Sequence, residues 1–316
     1  MRTSLAVVIV HYNTPDLLRG CLRSLRDCAV PLQVVVVDNA STDRAVEGLA
    51  GEFPAARFAW NTENRGYAAA NNQGIRLLRS AAPQEEALGA GLPSAILLLN
   101  PDTVVQRGAL EALTAFLESH PRVGAVGPRL LNPDGSLQEN AFSFPTLPMS
   151  FFDFFPLHGR LYGSRLNGRF PQMRGAEPFP IDHPLGACLL LRTEALQAVG
   201  PLDEGYFVYV EEVDLCYRLK KAGWEVWHVP AARVVHYGGQ STKQVSERML
   251  VELHRSRYRF FHKYYPPAFT CCHRQITRLG LWRRGRQDRQ ACARGEITAA
   301  QLRARLAAYR EIAALR

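Results

Sequence analysis

Three carboxylates lie close together in the segment from Tyr209 to Asp214. Glu211, Glu212 and Asp214 stand at the predicted start of a helix, where the positive end of the helix dipole stabilises negative charge. A carboxylate placed there can act as a general base that takes a proton from a hydroxyl group. The cluster can also serve only to cap the helix, with Asp214 paired to Arg218 one turn later. We assign Asp214 to the structural role and expect Glu211 or Glu212 to face a cleft.

A separate acidic residue, Asp102, follows directly on an apolar run in the turn Asn100-Pro101-Asp102. An acidic turn suits a hard divalent cation, which few carboxylates hold together with substrate phosphates. The same three residues are equally typical of a simple turn. His236 closes another apolar run before the loop Tyr237 to Ser241 and is the second candidate ligand, although a lone histidine is more often structural.

The segments around Asp38 and Asn64-Arg65-Gly66 are candidates for binding a nucleotide. Asp38 ends an apolar run and can accept a hydrogen bond from a base or a ribose, while Asn64-Arg65-Gly66 offers amide and guanidinium donors. Alternatively, Asp38 and Asn39 only cap the helix that follows Ser41. The sequence contains neither G-x-G-x-x-G after its first apolar run nor a P-loop, so dinucleotide redox chemistry and P-loop hydrolysis lack their signatures.

These candidates follow short apolar runs that alternate with amphipathic stretches. Strands are predicted at 5–10, 33–37, 95–99, 123–126, 187–191 and 233–236, and helices at 15–27, 42–50, 108–119, 211–222, 245–263 and 297–314. This alternation predicts an α/β fold with a mostly parallel sheet covered on both faces. Because a ligand crevice lies beyond the carboxyl ends of such strands, we expect the polar residues after Val37 and Leu99 to converge. Residues 81–93 are expected to form a surface loop.

Charge and cysteine content limit the setting in which the protein acts. Residues 241–316 hold 17 Lys and Arg against 5 Asp and Glu, whereas the first 240 residues hold 21 against 24. Such a basic tail is compatible with an anionic membrane surface or with nucleic acid. Seven cysteines without a C-x-x-C pair indicate a reducing, cytoplasmic setting. No apolar run approaches the roughly 18 residues that span a bilayer, so we expect any membrane contact to be peripheral.

Eight segments of the chain together resemble the family 2 inverting glycosyltransferases, in particular their bacterial rhamnosyltransferase-like branch. The resemblance covers residues 3–242 and rests on the segments VVIVHYNTPDLL, VVVVDNASTD, NRGYAAANNQGI, LLLNPDTVV, GPRLLNPDGSLQ, PLGACLLLRTEAL, DEGYFVYVEEVDLCYRLKKAGW and VVHYGGQST. It implies a GT-A fold, a Rossmann-like nucleotide-binding domain over residues 1–242. Residues 140–182 would form an aromatic-rich acceptor or lid segment, and 243–316 a basic helical extension.

The resemblance also implies roles for individual residues. Tyr12 and Asn13 would flank the base, and Asp38 would hold the nucleoside. Further donor contacts would come from a set of loop and helix residues, with the backbone of the last two approaching the sugar: Asn64, Arg65, Gly66, Asn71, Asn100, Gly186 and Ala187. Asp102 and His236 would hold Mg²⁺ or Mn²⁺.

Two departures from the family pattern affect the predicted chemistry. The usual Asp-x-Asp metal motif is replaced by Asn100-Pro101-Asp102, which leaves one charged ligand. Where the family carries Glu-Asp, this chain has Glu211-Glu212. We assign the general base to Glu212 and keep Glu211 as the alternative.

The resemblance therefore predicts transfer of a sugar, rhamnose or a related deoxyhexose, from a dTDP- or UDP-linked donor. The acceptor would be a glycan or a lipid-linked glycan of cell-surface polysaccharide biosynthesis. The aromatic segment and the basic tail are expected to receive an acceptor on a lipid carrier, and Arg283, Arg284, Arg286 and Arg289 to contact anionic headgroups at the inner face of the cell membrane. Alternatively, the aromatic residues pack in a small lid core. An inactive nucleotide-sugar-binding protein is the alternative, and a nucleic-acid-binding protein ranks last because the tail lacks the interleaved aromatic stacking pattern of known RNA-binding modules. The oligomeric state stays open, a homo-oligomer included.

Overall fold

The computed structural model describes residues 5–79, 93–155, 159–238 and 246–315. Residues 81–92 of the expected surface loop and residues 239–241 of the loop after His236 lie outside this range. The chain forms two compact units. The first consists of Met1–Phe142, Gln172–Phe207 and Glu211–Ser241, and the second of Ser143–Pro171, Val208–Val210 and Thr242–Arg316. The aromatic-rich segment is thus divided, and its middle part groups with the C-terminal helices.

The strands all belong to the first unit. They are β1 (Leu5–His11), β2 (Leu32–Asp38), β3 (Ala56–Trp60), β4 (Ala95–Leu99), β5 (Thr103–Val105), β6 (Val123–Leu131), β7 (Leu137–Gln138), β8 (Ala141–Phe142), β9 (Phe179–Pro180), β10 (His183–Pro184), β11 (Cys188–Arg192) and β12 (Glu225–His236). The main sheet has the order β3-β2-β1-β4-β11-β6-β12-β5, with β7 beside β6 and β9 beside β12, and β8 pairs with β10 in a separate ribbon.

The helices are distributed over both units. They are α1 (Pro15–Arg26), α2 (Ala45–Glu52), α3 (Tyr67–Arg79), α4 (Ala109–Ser119), α5 (Leu147–Phe152), α6 (Gly159–Tyr162), α7 (Thr193–Val199), α8 (Glu211–Lys221), α9 (Ser246–Tyr264), α10 (Pro267–Ala293) and α11 (Ala299–Ala314). None of the helices in the described part of the chain has the length and apolar character needed to cross a bilayer.

The main sheet is mostly parallel, as predicted. β1 runs parallel to β2 and β4, β2 to β3, and β6 to β12, whereas β11 and β5 run antiparallel to their neighbours. The central runs of Val, Ile and Leu are buried along their whole length because helices cover both faces of the sheet. Pairing of His11 with Asp38 and of Ile9 with Leu99 places the carboxyl ends of three strands at one edge. The expected convergence of polar residues at this edge is therefore confirmed.

Strand β12 is longer than predicted and forms the other side of this edge. It begins at Glu225 rather than at residue 233, and irregular pairing with β6 between Val229 and Arg233 allows it to continue past Pro230. Its last residue, His236, pairs with Thr103 of β5. Because β5 begins immediately after Asp102, this pairing brings Asp102 beside the end of β12.

The second unit is helical and has its own small core. Phe154, Val251, Leu281, Ala308 and Ile312 pack together there. α9 and α11 agree with the sequence prediction to within two residues, whereas α10, the longest helix, was missed. A helical C-terminal region is therefore confirmed.

Candidate active site

The ends of β1 and β2 are joined through the side chains of His11 and Asp38. Nδ1 of the buried His11 ring lies 2.8 Å from Oδ1 of Asp38, and Nε2 accepts a hydrogen bond from the backbone N–H of Thr14. Because Nε2 accepts, the ring proton lies on Nδ1 and is donated to Asp38. Burial raises the pKa of Asp38, but hydrogen bonds from His11 and Ser41 outweigh burial and hold this pKa below its ordinary value. Asp38 is thus a buried, ionised carboxylate at neutral pH.

The turn after β2 is held by Asp38 and Asn13. Ser41 donates to Asp38 through its hydroxyl at 2.6 Å and its backbone N–H at 3.0 Å. The side-chain oxygen of Asn13 accepts from the backbone N–H of Thr42 at 2.8 Å, and Asn13 itself has a positive φ of 53°. Asp38 therefore shapes this turn but does not cap the following helix, because α2 begins only at Ala45, and the oxygens of Asp38 retain lone pairs for a ligand. Tyr12, between His11 and Asn13, is partly exposed at the same edge.

Asn39 connects this turn to the predicted donor-binding segment. Its amide nitrogen donates to Oδ1 of Asn64 at 2.8 Å and to the carbonyl of Gly66 at 3.2 Å, and its oxygen accepts from the backbone N–H of Arg65. The structure thus brings Asn64, Arg65 and Gly66 to the edge that carries Asp38. Sequence reasoning did not select Asn39 for this role, although its position directly after Asp38 was a signal.

The backbone at Gly186 and Ala187 lies between α3 and the end of β4. The hydroxyl of Tyr67 donates to the carbonyl of Gly186 at 3.1 Å, and the backbone N–H of Asn100 donates to the carbonyl of Ala187 at 2.9 Å. Two buried side-chain oxygens, Oδ1 of Asn71 and Oδ1 of Asn100, have no hydrogen-bond partner in the described part of the chain. Such atoms are the ones that a bound ligand can satisfy. Tyr67 is a site residue that sequence reasoning missed.

Asp102 and His236 form a close pair. Oδ1 of Asp102 lies 3.3 Å from Nε2 of His236, and both side chains are at most 9% exposed. Nε2 of His236 is nevertheless without a hydrogen-bond partner among the described residues. A carboxylate oxygen and an imidazole nitrogen placed in this way fit a divalent cation. The described residues contain no group of three or more His, Cys, Asp or Glu side chains arranged for a metal, so the pair would supply two ligands.

The two candidate bases differ in their surroundings. Glu211 is 4% exposed, and its Oε2 is buried without a hydrogen-bond partner in the described residues. Burial, together with the negative charge of Glu212, raises the pKa of Glu211 well above its usual range. Glu212 is partly exposed and lies against Gly186, where an added Cβ would be 3.4 Å from the Glu212 carboxyl carbon. Only Glu212 therefore combines access from solvent with a position beside the Gly186 backbone.

Tyr67 lies close to all of these acidic groups. Desolvation raises the pKa of its hydroxyl, and the negative charges of Glu211, Glu212 and Asp102 raise the same pKa further. A neutral hydroxyl therefore stays in place as a hydrogen-bond donor. The carboxylates of the predicted base and metal residues thus all act on this one hydroxyl of the first unit.

Asp214 has the structural role that its spacing predicts. Its carboxylate accepts from Arg218 at 2.8 Å and from the hydroxyl of Tyr206 at 3.1 Å, and it is fully buried. Arg218 also donates to the carbonyls of Val199, Gly200 and Pro201. With these bonds Asp214 fixes α8 from within the fold and does not face a cleft.

The residues that immediately precede α8 have a strained backbone. Tyr209 and Val210 both have positive φ, 68° and 71°, a region that L-residues and above all β-branched ones avoid. Each such residue costs on the order of 1–3 kcal/mol and persists only where its surroundings enforce it. Strain of this kind directly before Glu211 and Glu212 is typical of a functional site.

Known proteins match most of the length of this chain. The family model described as "Glycosyltransferase like family 2" matches residues 2–253. An N-acetylglucosaminyl-diphospho-decaprenol L-rhamnosyltransferase of Mycobacterium tuberculosis is 34% identical over 269 residues, which cover 82% of this chain and 84% of the relative. The low-salt glycan biosynthesis hexosyltransferase Agl10 of Haloferax volcanii is 24% identical, over 75% of this chain and 68% of the relative.

Two solved structures share the fold. The mannosyltransferase PcManGT from Pyrobaculum calidifontis, in complex with GDP-Man and Mn²⁺, has a TM-score of 0.55 at 18% identity. The match covers 99% of this chain and 84% of the mannosyltransferase chain. GalNAc-T7 with UDP, GalNAc and Mn²⁺ also has a TM-score of 0.55 at 18% identity, and the match covers 80% of this chain and 47% of the GalNAc-T7 chain. The predicted GT-A fold and glycosyltransferase activity are confirmed, and the chain belongs to the glycosyltransferase-like family 2.

Proposed function

We propose that this glycosyltransferase moves rhamnose or a related deoxyhexose from a dTDP- or UDP-linked donor to a lipid-linked saccharide, with inversion at the anomeric carbon. The observation that carries the mechanism is the pairing of Asp102 with His236 in the unit that also holds Glu211 and Glu212, whose charges together with that of Asp102 raise the pKa of Tyr67. The donor and acceptor classes rest on the relative named as an N-acetylglucosaminyl-diphospho-decaprenol L-rhamnosyltransferase.

In this mechanism the edge formed by β1 and β2 receives the nucleoside. Asp38 would accept from the base or ribose through lone pairs left over from its bonds to His11 and Ser41. Tyr12 and Asn13 would flank the base, and Arg65 would meet the diphosphate. Since Asn13 and Asp38 are both held by the turn that contains Ser41, they need little reorganisation to bind.

Asp102 and His236 would hold Mg²⁺ or Mn²⁺. Oδ1 of Asp102, which faces Nε2 of His236, is an oxygen of the kind that binds either ion, and the imidazole nitrogen suits a transition-metal ion such as Mn²⁺ better than Mg²⁺. When bound, the cation would offset negative charge on the departing diphosphate. Asn100 lies at the same turn, and its buried Oδ1 would accept from the donor.

Glu212 would act as the general base and Glu211 as a neutral neighbour. A base must be within reach of the acceptor hydroxyl, and the partial exposure of Glu212 leaves it open to an acceptor. Glu211 is buried with a raised pKa, so a proton on it would leave the negative charge on Glu212. The backbone of Gly186 and Ala187 would approach the sugar beside Glu212. One base and one displacement account for inversion.

The second unit would contact the anionic inner surface of the cell membrane, where a lipid-linked acceptor is reached from the cytoplasm. Among the described residues, six of the eight large hydrophobic side chains that are exposed belong to this unit: Phe151, Leu161, Tyr162, Leu166, Leu279 and Trp282. Arg286 lies over the ring of Trp282 at 5.0 Å. Exposed aromatic and aliphatic side chains next to arginines suit a membrane interface.

Not all of the predicted arginines are equally available for this contact. Arg283 donates to the carbonyl of Phe154, and Arg284 to that of Asp153. On the exposed face of α10, the proposed membrane contact therefore rests on Arg286, Arg289 and Trp282.

The transfer is tested with purified protein, a panel of nucleotide sugars and a synthetic N-acetylglucosaminyl-diphospho-lipid acceptor. We expect transfer from a dTDP- or UDP-deoxyhexose with Mn²⁺ or Mg²⁺, inverted configuration in the product, and loss of activity with chelator. Donor protection against heat without any transfer would instead identify an inactive binder. Retained configuration, or equal turnover in chelator, would exclude this mechanism.

Membrane contact is tested separately by sedimentation with vesicles. The wild-type protein should sediment with phosphatidylglycerol vesicles but not with phosphatidylcholine vesicles, and the double variant Trp282→Ser, Leu279→Ser should sediment several-fold less. Trp60→Ser is the matched control because Trp60, 47% exposed, lies in the first unit. Equal sedimentation of all three proteins would rule out this face of α10.

A further inference from the structure

We propose that Gln138 is a positioning residue that holds the His236 ring in the tautomer with its proton on Nδ1, so that Nε2 is available beside Asp102. The inference rests on the proposed role of Asp102 and His236 as ligands of a divalent cation. Gln138 ends the short strand β7, and its Oε1 lies 2.7 Å from Nδ1 of His236.

The neighbouring groups fix which way the Gln138 amide points. Its Nε2 donates to Oδ1 of Asn132 at 2.9 Å and approaches the backbone carbonyl of His236 at 3.3 Å. Both of these partners are acceptors, and a reversed amide would set its oxygen against them. Oε1 of Gln138 must therefore face the imidazole ring, where it can only accept.

The donor and acceptor roles in this chain of hydrogen bonds are set by a carboxylate, Asp134. The hydroxyl of Ser136 donates to Asp134, and these bonds lower the pKa of Asp134, so this carboxylate only accepts at neutral pH. Asn132 donates from Nδ2 to the Ser136 hydroxyl oxygen, which turns its own oxygen towards Gln138. Each link thus has one direction, and the last link requires the proton of His236 on Nδ1.

The consequence appears at the other nitrogen of the ring. A neutral imidazole with its proton on Nδ1 has a lone pair on Nε2. That atom is 3.3 Å from Oδ1 of Asp102 and has no hydrogen-bond partner in the ranges that the structure describes. Two acceptors at this distance repel each other unless a metal ion or a proton is bound by them. With the other tautomer, Nε2–H would donate to Oδ1 of Asp102, and this hydrogen bond would engage both candidate ligand atoms so that neither could bind a cation.

Gln138→Leu and Gln138→Glu separate tautomer control from a structural role. Leu removes the acceptor, whereas Glu keeps an acceptor for Nδ1–H but loses the donor to Asn132 and to the His236 carbonyl. If Gln138 sets the tautomer, Glu preserves it and Leu does not. If Gln138 only braces the fold, Glu is as harmful as Leu.

The first measurement uses metal-free protein and long-range ¹H–¹⁵N spectra of its histidine rings. Wild-type and Gln138→Glu proteins should show His236 protonated on Nδ1 alone, and Gln138→Leu should move that proton to Nε2. Asn132→Ala is a control that removes the outer link but leaves Gln138 in place. A proton on Nε2 of the wild-type ring would overturn the inference, whatever the protein does with metals.

The second measurement is Mn²⁺ affinity, followed by electron paramagnetic resonance with the metal alone. Loss of a group that orients a metal-binding histidine typically weakens affinity by about 10- to 100-fold, which we expect for Gln138→Leu. Gln138→Glu should stay within about threefold of wild type by the same reasoning, and His236→Ala sets the lower limit. Equal weakening in the Leu and Glu variants would overturn the inference. Absence of Mn²⁺ binding by a wild-type protein with the Nδ1 tautomer would instead refute the metal role of Asp102 and His236.

Discussion

The hydroxyl of Tyr67 donates a hydrogen bond to the carbonyl oxygen of Gly186 at 3.1 Å. This bond joins the start of α3 to the backbone that lies against Glu212 and precedes Ala187. The predicted nucleotide-binding and catalytic residues are therefore connected through a tyrosine that belongs to neither group. Its position next to Gly66 also links it to the turn at the end of β2 through Asn39.

Replacing Tyr67 with Phe tests this connection. The Gly186 carbonyl would lose its partner, at a cost of about 1 kcal/mol in the free energy of unfolding. We expect kcat to fall about tenfold, the effect of roughly 1.4 kcal/mol on the barrier, because the Gly186 backbone is no longer fixed. Tyr162→Phe is the control, since its hydroxyl makes a similar bond to the carbonyl of Phe152 in the second unit. Transfer kinetics and thermal denaturation are measured for both variants. Equal kcat values for Tyr67→Phe and Tyr162→Phe would show that the bond to Gly186 does not matter for catalysis.

The Glu211-Glu212 pair gives a second prediction. Glu212→Gln should lower kcat by about 10²- to 10⁴-fold, the usual contribution of a general base, while donor affinity stays unchanged. Glu211→Gln should reduce kcat far less, because a carboxyl group with a raised pKa already resembles an amide.

The same pair predicts an effect on stability. The pKa of Glu211 is higher in the folded than in the unfolded protein, so the free energy of unfolding falls as pH rises through the folded value. Glu211→Gln should remove this fall and raise the melting temperature at alkaline pH more than at acidic pH. Full turnover by Glu212→Gln would exclude it as the base, and a Glu211→Gln melting curve parallel to wild type at every pH would contradict the raised pKa.

Close backbone contact at Gly66 gives a third prediction. Gly66 has a φ of +82°, and an added Cβ would lie 2.4 Å from the carbonyl oxygen of Phe207. Gly66→Ala should therefore destabilise the protein by at least about 2 kcal/mol and weaken binding of dTDP or UDP. Gly20→Ala in α1 is the control: no neighbouring atom lies within 4 Å, and alanine favours a helix by about 0.5–1 kcal/mol. Chemical denaturation should move the two variants in opposite directions, and a neutral Gly66→Ala would disprove the tight approach.

Much of the first unit could be predicted from the sequence because its signals are local. The runs at Val34–Val37 and Ile96–Leu99 are short, apolar and followed by turn residues, which is typical of strands buried inside a sheet. Parallel strands end at one edge, so the approach of Asp38 to the turn at Asp102 follows from strand direction alone. Asp214 and Arg218 could be paired from their spacing on one helix.

Other features depend on contacts between residues far apart in the chain, which spacing does not reveal. Gln138 meets His236 only because β7 and β12 both pair with β6. Tyr67 meets Gly186 across more than a hundred residues. α10 was missed because Gly280 and Gly285 interrupt its pattern, and both prove to be packing sites. A Cβ at Gly280 would collide with the ring of Phe154, so a helix-weakening residue marks a close contact there.

Buried histidines give the last prediction, which concerns stability in acid. Burial lowers the pKa of His228 and His273 from 6.5 to about 4 and lowers that of His254 further. Between pH 6.5 and 4 the unfolded chain binds protons that the folded protein excludes. The free energy of unfolding therefore falls as pH falls, by up to about 1.4 kcal/mol per pH unit for each ring.

His254→Phe should make this fall shallower. Nδ1 of His254 has no hydrogen-bond partner in the described part of the chain, and the ring is stacked with Phe154 at a centroid distance of 6.0 Å, so a phenyl ring would sacrifice no bond of Nδ1 and could keep the stacking. Melting temperatures measured at pH 5 and pH 8 give the comparison. The melting temperature of the variant relative to wild type should be higher at pH 5 than at pH 8, because at pH 8 the His254 ring is neutral in both the folded and the unfolded chain. Since all other groups are shared, an equal difference at both pH values would show that His254 takes up no proton on unfolding.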